Sequence, residues 1–403
     1  MSTTPAHPRV LFVAPVEPWC RENGSSLIIA DMLEGLRQAG GADMLPVFLR
    51  RPPAGCHAQV PSGYDGIQLG LEGVPRWVSI VKALALRSSP IRMRFANRKV
   101  ARLLIRTVKE RGFAPTIVHV EHLPLVDMGL AVARAFDCPL VYRSHNVEAQ
   151  LLERRMTVRG PLARMVLRHM ARAEADALDR CDLTLCISDV DLAWARAHAP
   201  SANVKLFPCS LLVDRYDAFG AGGKSREPQI GFAGGLDWAP NENGLQWFVE
   251  KALPRITAAV PGARLAVLAR GATTRPWLTT NPAIRILDDR SDARELFASS
   301  WVSIAPLLQG GGVRIKIPES LALGCPVVAT TIGAEGHDLP GLTRADEPEA
   351  FAAACAGHLR AVPAESRAQL RAAVDARHGA TVLARQLLGY WTELLRSRRG
   401  AAA

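Results

Sequence analysis

The sequence predicts an α/β protein built from two doubly wound, Rossmann-like domains. Three observations predict it. The chain has 403 residues, 48% hydrophobic and 22% charged, which suits two globular domains of about 100 to 200 residues each. Short apolar runs alternate with stretches of helical periodicity, the pattern of strand and helix feeding a parallel sheet. That alternation stops once, in the glycine- and charge-rich stretch at residues 219–228, and then restarts.

The first element is the apolar run at residues 10–14, with the length and bounding of a buried parallel strand. The polar loop PVEPWCRENGSS follows. Then Leu27, Met32, Leu33 and Leu36 keep a helical spacing, with Ser25 or Ser26 as cap and Gly40 as stop. Further strands are expected at TIVHV (116–120), PLVYRSHN (139–146) and DLTLCIS (182–188), each separated by helical patterns. The stretch FGAGGKSREP reads as a linker, which sets an N-terminal domain at residues 1–222 and a second at 223–379. Beyond it come QIGFAGGL, a helix over 242–259, RLAVLARG, AIRILDD, WVSIAPLL and CPVVATT, a second doubly wound sheet. In the last segment, 380–403, a helix is expected over 380–396 with Leu383, Leu387, Leu388, Trp391 and Leu395 on its apolar stripe. It is free to pack on either domain, a return to the first included.

Composition narrows the function classes. Lysine and arginine number 49 against 38 acidic residues, a net charge of +11 that favours anionic partners. The eight cysteines are scattered without a C-x-x-C pair, so neither a metal cluster nor a disulfide framework is expected. Buried thiols in a reducing cytoplasm are. The start, MSTTPAHPRVLFVAP, lacks the form of a signal peptide, and no apolar window reaches the length of about eighteen residues that a membrane span needs. The expected place is the cytoplasm.

The chemistry concentrates in VSIAPLLQGGGVRIKIPESLALGCPVVATTIGAEG, residues 302–336. Gly310, Gly311 and Gly312 let backbone amides approach a ligand, and the helix that follows offers unpaired N–H groups to an anion. Arg314 and Lys316 add a fork and a point charge, the means to hold a diphosphate. Glu319 would repel phosphate but suits ribose hydroxyls. Each feature alone reads as a turn, a solvated charge or a helix-dipole partner. Together, between two buried strands, they mark the end of a parallel sheet where ligands bind.

This stretch resembles the donor-site signature of the retaining nucleotide-sugar glycosyltransferases of family 4, which have the two-domain GT-B fold. Residues 230–256, IGFAGGLDWAPNENGLQWFVEKALPRI, resemble the opening of that family's second domain, and residues 141–152, VYRSHNVEAQLL, a segment of its first. The resemblance implies transfer of a glycosyl group from a nucleoside diphosphate sugar with retention. The donor would sit mainly on the second domain and the acceptor on the first, with no cofactor and no metal. It implies that Arg314 and Lys316 hold the diphosphate, that Glu319 is the second glutamate of the family's spaced pair and binds ribose, and that His145 lies near the donor sugar. The first glutamate would fall at position 311, where this chain has Gly311. An arginine and a lysine common in the family are also missing around Gly235, Leu236 and Asn243. Asn23 and Gly24 resemble the first-domain loop facing the diphosphate. Gly234, Glu335 and Gly336 complete the expected donor pocket. UDP-sugars are favoured over GDP-sugars, and the acceptor is a glycan, a lipid-linked group or a small molecule.

Basic residues crowd residues 75–113, where Arg87, Arg92, Arg94, Arg98, Lys99, Arg102, Arg106 and Lys109 mingle with Trp77, Leu84, Leu86, Ile91, Met93 and Phe95. Solvated helix faces or peripheral contact with the inner face of an anionic membrane both suit this mixture. Nucleic acid does not, because no recognised module accompanies the charge. Two rivals remain. Gly311 and the missing cations suit a catalytically inactive glycosyltransferase-like binding subunit. A dinucleotide enzyme would need G-x-G-x-x-G, and GFAGGLD does not supply it.

Overall fold

The computed structural model describes residues 7–20, 24–50, 60, 64–71, 75–85, 89–90, 92, 98–155, 160–219, 223–287, 292–361 and 366–402. Among them, two separate sheets form, and every strand pairing in both is parallel. The first holds β1 (Arg9–Val16), β2 (Asp43–Arg50), β3 (Ile67–Gln68), β4 (Ile117–Glu121), β5 (Leu140–Ser144), β6 (Leu183–Cys186) and β7 (Val204–Leu206), in the order β3-β2-β1-β4-β5-β6-β7. The second holds β8 (Gln229–Ala233), β9 (Arg264–Leu268), β10 (Ile284–Ile286), β11 (Val302–Ala305), β12 (Val327–Ala329) and β13 (Leu342–Arg344), in the order β10-β9-β8-β11-β12-β13. Each order reverses beside its first strand. A crevice for ligands is expected there, between the loops leaving β1 and β4 and between those leaving β8 and β11.

Alternation along β1 sets the layers of the first sheet. Leu11 and Val13 join Val100, Leu104 and Val108 of the helix Arg98–Glu110 on one face. On the other, Phe12 and Ala14 meet Ile29 and Leu33 of the helix Gly24–Ala39. Val10, on that same face, clusters with Leu383, Leu387 and Trp391 of the last helix, Ala380–Ala402. Gly35 makes the close approach of the two helices possible, since a Cβ there would lie 2.5 Å from the carbonyl oxygen of Ala380.

The chain divides into one compact unit of residues 1–210 and 380–403 and another of residues 211–379. The sequence reading placed the boundary at residue 222, and the structure places it earlier. What looked like linker is stitched into the second unit. Lys224 Nζ donates to the carbonyls of Ser300 (2.7 Å) and Gly324 (3.2 Å), and Ser225 N–H donates to Ser299 (2.8 Å). The first and last residues of that unit, Leu211 and Gly379, face each other in a parallel bridge.

Two element expectations change. Ser25 lies inside the first helix and is no cap. The helix expected over 242–259 is broken in three: Ala239–Trp247, a π-turn at Phe248–Ala252, and Leu253–Ala259 with Pro254 near its start. Proline has no N–H for the helical ladder, which accounts for the change of pitch. Cys138, Cys181, Cys186, Cys209, Cys325 and Cys355 are free and buried.

Candidate functional site

In the second unit, three loops converge at the β8/β11 switch point. The loop after β11 turns on Gly310 and Gly312, whose φ angles of 116° and 85° suit glycine. The turn brings Arg314 back over it, so that Nη1 donates to the carbonyls of Gly311 (2.6 Å) and Gly312 (2.7 Å). The Arg314 guanidinium also lies 5.2 Å from the centre of the Trp238 ring, a cation–π contact from the loop after β8. Arg314 is thereby held at 7% exposure. An arginine is rarely buried this far unless its donors are paired.

Lys316 opens the helix Lys316–Ala322, whose start has no side-chain cap. Its Nζ reaches the Ala233 carbonyl (3.2 Å) and Asn241 Oδ1 (3.4 Å) and lies 4.6 Å from the Phe232 ring centre. Burial, and secondarily the charge of Arg314, lower its pKa to about 7. Asn241 is the link to the β8 loop, donating through Nδ2 to the Gly235 carbonyl (3.0 Å). Gly234 leaves it room: a Cβ there would be 2.8 Å from that same nitrogen. On the next turn of the helix, Glu319 accepts a hydrogen bond from the Tyr216 hydroxyl (2.9 Å).

The third loop follows β12 and carries Glu335 and Gly336. It is tied to the first by His337, whose Nε2 lies 3.0 Å from the Arg314 carbonyl. Burial, then the neighbouring His378, hold His337 well below its usual range. It is a neutral donor to that carbonyl. The second unit thus brings Gly234, Gly310, Gly311, Gly312, Arg314 and Lys316 together, with Glu319, Glu335 and Gly336 on its margins. Trp238, Asn241, Tyr216 and His337 are site residues that sequence reasoning missed.

The first unit holds a different arrangement at the carboxyl ends of β4 and β5, whose residues are all buried although they include His119, Glu121 and Arg143. Glu121 takes His119 Nε2 at 3.3 Å, Arg143 Nη1 at 3.6 Å and His145 Nε2 in a short contact. Burial pushes the Glu121 carboxyl up, but Arg143 and His145, with the hydrogen bonds from both histidines, hold it well below the usual carboxylate range. An ionised carboxylate only accepts, so His145 donates through Nε2 and its Nδ1 becomes the acceptor. Burial lowers the His145 pKa and keeps the ring neutral.

His145 stacks on His122 with ring centres 3.8 Å apart, and His122 Nε2 lies 2.7 Å from Ser25 Oγ. His122 itself has φ 74° and ψ 144°, a backbone state that belongs to glycine. His145 and the helix begun by Gly24 are joined in this way. Asn23 lies outside the described residues. The sequence singles out His145 but not Glu121, His122 and Arg143, although charged residues inside apolar strands are visible in it.

The basic stretch is only partly a surface. Arg98, Lys99, Arg102, Arg106 and Lys109 are exposed, whereas Arg92 is buried between Asp127 (2.6 Å) and Asp176 (2.9 Å) and is structural. The side chains of Trp77, Leu84, Leu86, Arg87, Ile91, Met93, Arg94 and Phe95 lie outside the described part. Among the described residues no helix is long and apolar enough to cross a membrane, and no group of His, Cys, Asp and Glu side chains could hold a metal ion.

Comparison with known proteins gives two family matches. Residues 23–214 match Glycosyltransferase Family 4, and residues 227–360 match Glycosyl transferases group 1. No curated protein matches the chain. Among solved structures, sucrose-phosphate synthase from Thermosynechococcus elongatus is similar at 15% identity and TM-score 0.66, with 96% of this chain and 100% of that chain covered. HepE from Anabaena, solved in complex with UDP, is similar at 12% identity and TM-score 0.64 over 96% and 100% of the two chains. The α,α-trehalose 6-phosphate synthase of Burkholderia multivorans is similar at 16% and 0.60 over 98% and 100%. At these identities the likeness is one of fold.

Proposed function

The chain belongs to the GT-B glycosyltransferases, with a family 4 domain ahead of a group 1 domain, and on that premise we propose that it moves a sugar from a nucleoside diphosphate sugar to an acceptor with retention at the anomeric carbon. The observation that carries this reading is the convergence of Arg314, Lys316 and the glycine turn at the β8/β11 switch point. There the two cations would stabilise the charge that grows on the diphosphate as the glycosidic bond breaks. Glu319, steadied by Tyr216, would take the ribose hydroxyls, while Glu335 and Gly336 wall the base. With Gly311 in place of a carboxylate, backbone amides of the loop would meet the sugar. His145, neutral and fixed in one tautomer by Glu121, keeps Nδ1 as a hydrogen-bond acceptor that adds no charge.

UDP is the favoured nucleotide; one HepE structure holds UDP and another UDP-glucose. The acceptor would be a glycan, a lipid-linked group or a small molecule in polysaccharide or glycoconjugate assembly. The exposed cations and Leu103 of the helix Arg98–Glu110 fit peripheral contact with an anionic bilayer from the cytoplasmic side. No resident cofactor or metal enters this scheme.

Thermal stabilisation by UDP, GDP, ADP and NAD tests the donor site. Ligand at about 100 times its Kd adds about 2.7 kcal/mol. A shift with one nucleoside diphosphate is expected, lost in the Arg314→Ala, Lys316→Ala double variant. A shift with NAD alone refutes the reading. Gly311 favours a second reading, an inactive binding subunit, and donor-dependent product formation decides between them. The anomeric proton coupling of the product, read by NMR, then decides retention.

A further inference from the structure

The loop after β8, residues 234–238, brings no cation of its own to the site. What this part of the chain sends instead is Asn241, the third residue of the helix Ala239–Trp247 and 8% exposed. It is held at both ends. Its backbone N–H donates to the Trp238 carbonyl (2.9 Å), and its side-chain Nδ2 donates to the Gly235 carbonyl (3.0 Å). Its Oδ1 accepts from Lys316 Nζ at 3.4 Å. These two side-chain partners fix which way the amide points, since a carbonyl needs the nitrogen and a donating amine needs the oxygen.

Among the described residues Lys316 meets three neutral partners. They are the Ala233 carbonyl at 3.2 Å, Asn241 Oδ1 at 3.4 Å and the Phe232 ring, whose centre lies 4.6 Å from Nζ. A charge set into a fold is normally balanced by an opposite one. Here the nitrogen is aimed without being neutralised. Burial, and then the charge of Arg314, the charged neighbour that acts on it, bring its pKa to about 7. At higher pH it is therefore a free amine that takes a proton from solvent when an anion arrives. A carboxylate in the place of Asn241 would keep the ammonium and occupy it.

We infer that Asn241 is a positioning residue, which holds the Lys316 nitrogen at the loop site through a neutral oxygen and so leaves its charge for a phosphate of the donor. Only the word phosphate rests on the donor reading; the hold on Lys316 stands on the contacts. Asn241 touches no reacting atom in this scheme and acts through Lys316. Around this loop, where the resemblance places an arginine and a lysine, the chain supplies orientation in place of charge.

Two measurements on the full chain test this. In the ligand-free protein the Lys316 side chain is titrated by NMR with 13C-labelled lysine, its signal assigned by its loss in Lys316→Met. Asn241→Asp keeps the shape and adds a charge, and should raise the midpoint by about 1 to 3 pH units. An unchanged midpoint overturns the inference. UDP and inorganic pyrophosphate are then titrated calorimetrically at pH 8 in buffers of different ionisation heat. Asn241→Leu should raise the Kd of each about three- to tenfold and keep the proton uptake, whereas Asn241→Asp should weaken binding at least as far and abolish the uptake. In the Lys316→Met background Asn241→Leu should change Kd by less than about twofold. A full effect there shows that Asn241 merely props its own loop through Gly235, and overturns the inference. Thermal melts report folding, and Asn241→Asp, the closer in shape, carries the decision if Asn241→Leu melts without a sharp transition. If the Asn241→Asp midpoint moves as expected while neither ligand binds the unaltered chain, the hold on Lys316 stands and the donor reading fails.

Discussion

Lys316 is a buried amine whose ionisation couples to folding and, on the proposed donor site, to ligand. In the folded protein its pKa is lowered from 10.5 to about 7, whereas in the unfolded chain it keeps the ordinary value. Between those limits the unfolded state binds the extra proton, so this residue makes stability rise with pH across that window. Below pH 7 the charge is present in both states and its full desolvation cost remains. A diphosphate reverses the balance by favouring the ammonium. UDP binding at pH 8 should therefore take up close to one proton, and at pH 6 almost none, as read from calorimetric enthalpies in buffers of different ionisation heat. Proton uptake that does not change over this range, or that persists in Lys316→Met, contradicts the assignment. Arg314→Ala and Lys316→Ala should each lower kcat by about 10²- to 10³-fold and nucleotide affinity by less, the pattern of groups that act on developing charge. Full activity in both removes them from the mechanism. His122 tests strain. At φ 74° and ψ 144°, glycine is at ease and alanine is not, and neither keeps the imidazole. His122→Gly should unfold at higher urea than His122→Ala, by about 1–3 kcal/mol, and equal midpoints would show the backbone to be relaxed.

At the scale of elements, the readable strands were those with uninterrupted apolar runs. Residues 116–120, 139–146 and 182–188 contain or overlap β4, β5 and β6. β2 was hidden because Pro46 interrupts its apolar pattern, and β3, β7 and β13 are too short to show a period. The glycine-rich loop after β11 was legible as a candidate site because its chemistry is contiguous. Its partners were not, since Trp238, Asn241, Tyr216 and His337 come from other loops and meet Arg314, Lys316 and Glu319 only in the folded second unit. The same limit applied to the last helix, whose apolar stripe was plain while its docking face was open. Two helical glycines make that docking testable with identical chemistry. A Cβ at Gly35 would press within 2.5 Å of Ala380 O, whereas one at Gly389 meets nothing within 4 Å. Gly389→Ala should stabilise by about 0.5–1 kcal/mol through helix propensity. Gly35→Ala should destabilise by about 1–3 kcal/mol through overpacking. Denaturant midpoints that move in the same direction would show that the two helices are not held at this contact.

For the whole molecule, chain order and unit membership disagree. Residues 211–379 form a unit inserted into another made of residues 1–210 and 380–403. The insert has its own six-stranded sheet and its own core, with Ile230, Phe232, Leu265, Val267, Val302 and Ile304 fully or almost fully buried. Its ends are paired, Leu211 N–H donating to the His378 carbonyl at 2.7 Å beside the bridge to Gly379, so closing the unit requires no ordering of a long connection. Gly234, Gly310, Gly311, Gly312, Arg314 and Lys316, proposed to hold the donor, all lie within it. Residues 211–379 expressed alone should therefore fold cooperatively and keep nucleotide binding within a few-fold of the full chain. The other unit is not symmetric in this respect. Residues 1–210 without 380–403 lose Leu383, Leu387 and Trp391 from the face of β1, each at most 3% exposed, and leave Val10, Met32 and Leu36 uncovered. That fragment should bind a hydrophobic dye and unfold without a sharp transition, and adding residues 380–403 as a separate peptide should restore cooperativity. If the insert fails to fold while the first segment folds without its last helix, the division of the core is drawn in the wrong place.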